Sequence, residues 1–102
     1  MELKDKIIVV TGAASGIGRA MAIRFKAEGA KQVIAVDINI DGAQATADMI
    51  GGIAMSADVS KEGDILRVIQ ETENTIGPID LFCSNAGVGM GESINSPNKE
   101  WQ

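Results

Sequence analysis

Lys6-Ile7-Ile8-Val9-Val10-Thr11-Gly12-Ala13-Ala14-Ser15-Gly16-Ile17-Gly18 decides the fold. Its first half is a short β-branched run, which reads as a strand buried on both faces, as a parallel sheet requires. A glycine-rich turn follows the strand directly. From 17 to 28 the period becomes helical: Ile17, Met21 and Phe25 recur every fourth residue with Ala20 and Ala27 beside them, while Arg19, Arg24 and Lys26 fall elsewhere. Gly29 is placed to end that helix.

The alternation continues along the chain. Residues 32–36 read as a second strand, closed by Asp37, and an Ala-rich helix follows from about 42 to 50 before Gly51-Gly52. A third strand is predicted at 53–57, ending at Asp58-Val59. Ser60 is placed to cap a longer helix whose buried stripe is Ile65, Val68, Ile69, Thr72 and Ile76. Gly77-Pro78 stops it, and 79–83 reads as a fourth strand ending at Ser84-Asn85-Ala86-Gly87. The remainder, 88–102, is a loop rich in Gly, Ser and Asn that would open a helix near Trp101. Strands alternating with helices specify an α/β fold with a parallel sheet and right-handed crossovers. Such sheets bind ligands beyond the C-terminal ends of their strands. All four ends here carry distinctive residues.

The turn has the spacing Gly-x-x-x-Gly-x-Gly. Gly12 permits the sharp exit from the strand, Gly16 a close ligand approach, and Gly18 a close helix–sheet contact. The helix N-terminus offers free N–H groups and partial positive charge to a pyrophosphate. No Gly-Lys-Ser/Thr follows, so this is not a P-loop. Asp37 lies 19 residues past Gly18, where an acidic residue accepts from ribose hydroxyls in dinucleotide-binding folds. That bond is worth about 1.5–3 kcal/mol. The same carboxylate repels a 2′-phosphate by up to about 4 kcal/mol at 4 Å and an effective dielectric of 20. Neither Ile38 nor Ser15 supplies a positive charge to offset this, so the expected cofactor is NAD rather than NADP. Taken alone, Asp37 reads equally well as a turn aspartate.

Composition narrows the alternatives. The 102 residues suffice for one small domain, and 45% hydrophobic with 23% charged residues is an ordinary globular balance. A net charge of −5 with no basic run gives no footprint for nucleic acid or a membrane surface. A charged N-terminus without a long apolar stretch reads as a cytoplasmic protein. Cys83, the single cysteine, is expected to be a buried structural thiol; with no histidine in the chain, no metal site is predicted.

Thr11-Gly12-Ala13-Ala14-Ser15-Gly16-Ile17-Gly18, Asp37, Asp58-Val59 and Asn85-Ala86-Gly87 together resemble the short-chain dehydrogenases/reductases, from Lys6 to Trp101. The resemblance implies that backbone groups around Ser15 and Ile17 meet the cofactor phosphates and that Asp37 holds the adenine ribose. It places the Asp58 side chain and the Val59 backbone at the adenine edge. Asn85, Ala86 and Gly87 would lie under the cofactor and brace the sheet. It further implies a Rossmann-type sheet in the order 3-2-1-4, hydride transfer between nicotinamide and an alcohol or ketone substrate, and a homo-oligomer.

Family members carry a catalytic Tyr, a Lys four residues later and an assisting Ser, all beyond the Asn-Ala-Gly segment. This chain has no tyrosine. Ser84 and Ser93 fall too early for that serine, so no residue is assigned a catalytic role and the chain alone is expected to be inactive. Residues 1–102 are read as the N-terminal NAD-binding part of a longer protein, or as a chain completed by another copy, with the fourth strand left at an edge. The alternative is a non-catalytic NAD-binding module complete at this length. An S-adenosylmethionine-dependent methyltransferase is the third reading, disfavoured by Thr11 at the first strand end and by Asn85-Ala86-Gly87.

Overall fold

A computed structural model describes residues 2–85. Ala86, Gly87 and the segment 88–102 therefore lie outside the described residues. The elements alternate as β1 (Ile7–Thr11), α1 (Gly16–Ala27), β2 (Gln32–Asp37), α2 (Ile40–Ile50), β3 (Ile53–Ser56), α3 (Glu62–Thr75) and β4 (Leu81–Cys83). The four strands form one sheet in the order β3-β2-β1-β4, and every pairing is parallel. This is the order that the family resemblance implies. Among the described residues, β4 pairs with β1 alone and stands at an edge.

Alternating side chains divide the sheet between two cores. Ile8 and Val10 of β1 join Val33 and Ala35 of β2 on the face that packs Ala22 of α1 with Ala43 and Ile50 of α2. Ile7 and Val9 join Ile34 and Val36 on the other face, against Val68 of α3. Both faces of the two central strands are therefore covered, and Ile7 to Val10 and Val33 to Val36 are buried throughout. β3 and β4 are half-buried.

Four local expectations are corrected. The buried stripe of α1 is not Ile17, Met21 and Phe25 with Ala20 and Ala27. It is Gly18 and Ala22, with Met21 and Phe25 half-buried on its shoulder, while Ile17 is 67% exposed. The cause is the depth at which α1 sits: a Cβ on Gly18 would stand 2.0 Å from the Gly12 carbonyl oxygen. Only small residues fit such an approach, and the bulky ones are displaced to the flanks.

Ser60 does not cap α3. Its N–H and hydroxyl both donate to Asp58 Oδ1, at 2.9 and 2.6 Å, closing a turn before the helix starts, and Lys61 becomes the N-cap without a side-chain bond. Strand β4 begins at Leu81 rather than at 79. The Asp80 carboxylate takes the Ile7 N–H at 2.9 Å, in the place a ladder carbonyl would occupy. Helix α2 starts earlier than its Ala-rich run because Asn39 Oδ1 accepts from the Gly42 N–H at 3.1 Å, and it ends on Gly51 in the left-handed region.

Candidate functional site

The C-terminal ends of β1, β2 and β3 meet along one rim of the sheet. The glycine turn leaves β1 there. Gly12 and Gly16 hold φ values of +67° and +60°, which non-glycine residues adopt at a cost. A Cβ at Gly16 would meet nothing within 4 Å among the described residues. Ser15 precedes α1 in extended conformation, and its side chain makes no cap bond. The first N–H groups of α1 thus keep the donor capacity of a helix N-terminus.

The turn is held from behind. The Ala13 N–H donates to the Val36 carbonyl at 3.1 Å, continuing the β1–β2 pairing. Thr46 of α2 donates its hydroxyl to the Ala13 carbonyl at 2.6 Å. The Ala14 N–H donates to Asp37 Oδ2 at 3.0 Å. Arg19 of α1 donates from Nη2 to the Ala14 carbonyl at 2.7 Å and from Nε to Thr46 Oγ1 at 2.8 Å. All four polar backbone groups of Ala13 and Ala14 are therefore committed to β2, α1 and α2. Gly42 in the first turn of α2 packs so closely that a Cβ there would stand 2.5 Å from the Ala14 Cβ.

Asp37 joins the rim to this turn. Its second oxygen accepts from the Asn39 N–H at 3.0 Å, so both oxygens receive a backbone donor and each retains acceptor capacity. Beside it is a small slot of about 80 Å³ lined by Asp37, Ile38, Ala57, Asp58 and Val59. Ile38 is 67% exposed at its mouth. The Asp58 hydroxyl partner Ser60, followed by the Ser60 N–H, holds the Asp58 carboxyl below the usual carboxylate range, with a smaller contribution from Lys61. Asp58 thus sits at the slot as a carboxylate already bonded on one oxygen.

The β4 end is tied to β1 through Thr11, whose hydroxyl accepts from the Asn85 N–H at 2.9 Å and contacts the Cys83 carbonyl at 3.4 Å. The Asn85 Nδ2 is buried without an acceptor among the described residues. Cys83 is a free, half-buried thiol that packs against the α1–α2 core, and burial pushes its pKa up, away from the thiolate. Gly12, Ser15, Gly16, Ile17, Gly18, Asp37, Ile38, Asp58, Val59 and Asn85 all lie at the strand ends or on the turn beside them.

The sequence reading passed over Arg19, Gly42 and Thr46. By helical period Arg19 falls on the polar side of α1, yet it is half-buried between two helices. Gly42 carried a usable signal, because a glycine within a helix marks close packing. Arg19 and Thr46 become informative only when α1 and α2 are placed side by side.

Comparison with known proteins agrees over nearly the whole chain. The short chain dehydrogenase family model matches residues 6–102. Tropinone reductase-like 1 of Erythroxylum coca is 42% identical over 94 residues, covering 90% of this chain and 34% of its own length. The crystal structure of ribose-5-phosphate isomerase from Brucella melitensis 16M superposes with a TM-score of 0.80 at 37% identity, over 85% of this chain and 34% of that one. Hydroxysteroid dehydrogenase from Escherichia coli gives 0.77 at 33% identity, over 94% of this chain and 43% of that one. The chain spans about a third of the length of the curated relative it matches.

Proposed function

The chain belongs to the short chain dehydrogenase family, and on that premise we propose that its strand ends bind NAD and that the whole protein transfers hydride between nicotinamide and an alcohol or ketone carbon. The observation that carries the reading is Asp37. One carboxylate is bonded to the glycine turn and also borders the slot formed with Asp58 and Val59. A single side chain therefore spans the distance between an anion-binding helix N-terminus and a pocket for a flat ring, as the ribose of a dinucleotide does.

The residues fit that group in their chemistry. Among the described residues, the space over Gly16 leaves room for a phosphate close to backbone N–H groups. Asp37 accepts from a ribose diol and opposes a 2′-phosphate, and Ile38 brings no compensating cation. Ile38, Ala57 and Val59 provide apolar walls for an adenine ring. The cofactor supplies the hydride chemistry; the residues of this chain bind and orient it. A reductase and a dehydrogenase among its relatives favour redox chemistry over a stand-alone nucleotide-binding module. The Brucella relative bears an isomerase name, and a shared scaffold does not choose the reaction.

Titration calorimetry with NAD, NADP and S-adenosylmethionine tests the reading. NAD is expected to bind about 100-fold or more tightly than NADP, with no competition from S-adenosylmethionine. Asp37→Ala should weaken NAD and narrow the gap to NADP. An equal affinity for the two nicotinamide cofactors in the wild-type protein would reject the assignment of Asp37, and no binding of either would reject the whole reading.

A further inference from the structure

Arg19 has an environment that its position on a surface helix does not explain. Arg19 is half-buried, its guanidinium donates to the Ala14 carbonyl, to Thr46 Oγ1 and, at 3.3 Å, to the Gly42 carbonyl, and every one of these acceptors is neutral. Among the described residues no carboxylate forms an ion pair with it; the two ion pairs involve Arg24 and Arg67. A half-buried cation bonded only to neutral acceptors keeps its full charge available to an anion nearby.

The direction in which that charge acts follows from the peptide geometry. The described peptide bonds are all trans, so each C=O points away from the N–H of the next residue. Thr46 holds the Ala13 carbonyl toward α2, and the Ala14 N–H on the same peptide accordingly reaches the other way, to Asp37. Arg19 holds the Ala14 carbonyl in the same manner. The Ser15 N–H on that second peptide must therefore point away from the guanidinium, and Ser15 is exposed, with no acceptor for this N–H among the described residues. Donation to the carbonyl also polarises the peptide and strengthens its N–H as a donor.

We propose that Arg19 is a positioning residue for the pyrophosphate of a dinucleotide, gripping the Ala14 carbonyl so that the Ser15 N–H faces the anion and setting an uncompensated positive charge behind it. Thr46 completes the device by passing its own hydrogen bond from Arg19 Nε to the Ala13 carbonyl. This inference rests on the nucleotide-binding reading above but is separable from it. Asp37 reads the ribose, whereas Arg19 acts only on the phosphate-bearing part of a ligand.

The test is calorimetric titration of the full chain with ADP and, separately, adenosine. Arg19→Met is expected to raise the Kd for ADP about tenfold and leave that for adenosine within about twofold. Arg19→Lys, which keeps the charge but not the fork, should recover part of the loss. Thr46→Val should show a smaller loss of the same selectivity. An equal loss for both ligands in Arg19→Met would reduce the residue to a structural strut and overturn the proposal, as would an unchanged ADP affinity. Should Arg19→Met fail to melt cooperatively, Thr46→Val decides: a loss selective for ADP supports the proposal and its absence overturns it. Wild-type protein that binds neither ligand overturns both the nucleotide reading and this one, whereas wild-type binding with insensitive variants overturns this one alone.

Discussion

The turn at the end of β1 is built of Gly, Ala and Ser and is saturated with contacts, whereas the flank formed by α3 and β4 carries large apolar side chains and is not. Around Ala13 and Ala14 every polar backbone group has a partner, and the helices approach so closely that glycine is required at 18 and 42. On the flank, Ile65, Ile69, Glu73, Ile79 and Phe82 line an apolar groove of about 310 Å³, and Leu81, Phe82 and Cys83 remain half-buried. Two threonines make the contrast concrete. Thr46 and Thr72 are both fully buried in helices, but the hydroxyl of Thr46 bridges Arg19 and Ala13 while that of Thr72 has no partner among the described residues. A packed, bonded region transmits a change to its neighbours, and a loose one absorbs it.

The sharpest way to break this comparison is at glycine. Gly18→Ala should destabilise the protein by about 3 kcal/mol or more, because its Cβ would overlap a backbone oxygen that has nowhere to move. Urea denaturation measures it, and a loss below the typical range for overpacking would mean that α1 is free to lift from the sheet. Next in size, Thr46→Val should cost about 2 kcal/mol by orphaning the Ala13 carbonyl and Arg19 Nε. On the flank the signs reverse. Thr72→Val removes a buried hydroxyl without a partner among the described residues and should stabilise by about 1 kcal/mol. Gly63→Ala in the first turn of α3, where a Cβ would meet nothing within 4 Å, should add about 0.5 kcal/mol. If both flank substitutions destabilise, α3 is as tightly constrained as the turn and the contrast fails.

The smallest effect sharpens the rim. The lowered pKa of Asp58 means that its bonds to Ser60 stabilise the fold above the ordinary carboxylate pKa and that this contribution disappears as the pH falls through the lower folded-state value. Ser60→Ala should move the Asp58 titration back toward that ordinary value in a carbon-detected NMR titration. A stability difference between wild type and variant at neutral pH should vanish in acid. An unmoved Asp58 titration would assign the shift to the remaining backbone bond and to Lys61.

The elements of the fold are legible because β-branched runs and glycine turns report the backbone directly, whereas the sheet order comes from the family resemblance. The place of Asp37 at a strand end is legible from the same runs and turns, at a spacing that the crossover helix sets. What escaped depends on distances between elements. Ile17 carries the right period for a buried stripe, but the depth of α1 over Gly12 turns it outward. Ser60 has the right chemistry for a cap, but Asp58 competes for it first. Arg19 looked like one of several charges on a helix until α2 stood beside it. Small polar and charged side chains choose among local partners of nearly equal worth, and sequence alone does not rank them.

β1 is central to the sheet, but its two neighbours come from very different points in the chain. Ile8 pairs with Val33 on one side and with Leu81 on the other. During synthesis from the N-terminus, β1, α1 and β2 can assemble as soon as Asp37 has emerged, and β4 arrives only with Leu81. At roughly 5–20 residues per second, the strand that forms the middle of the sheet waits about 2–9 s with one edge bare. Loop closure over that span is also the largest entropic cost in the described topology. The Asp80 carboxylate on the Ile7 N–H then ties the start of the late strand to β1 and marks its register.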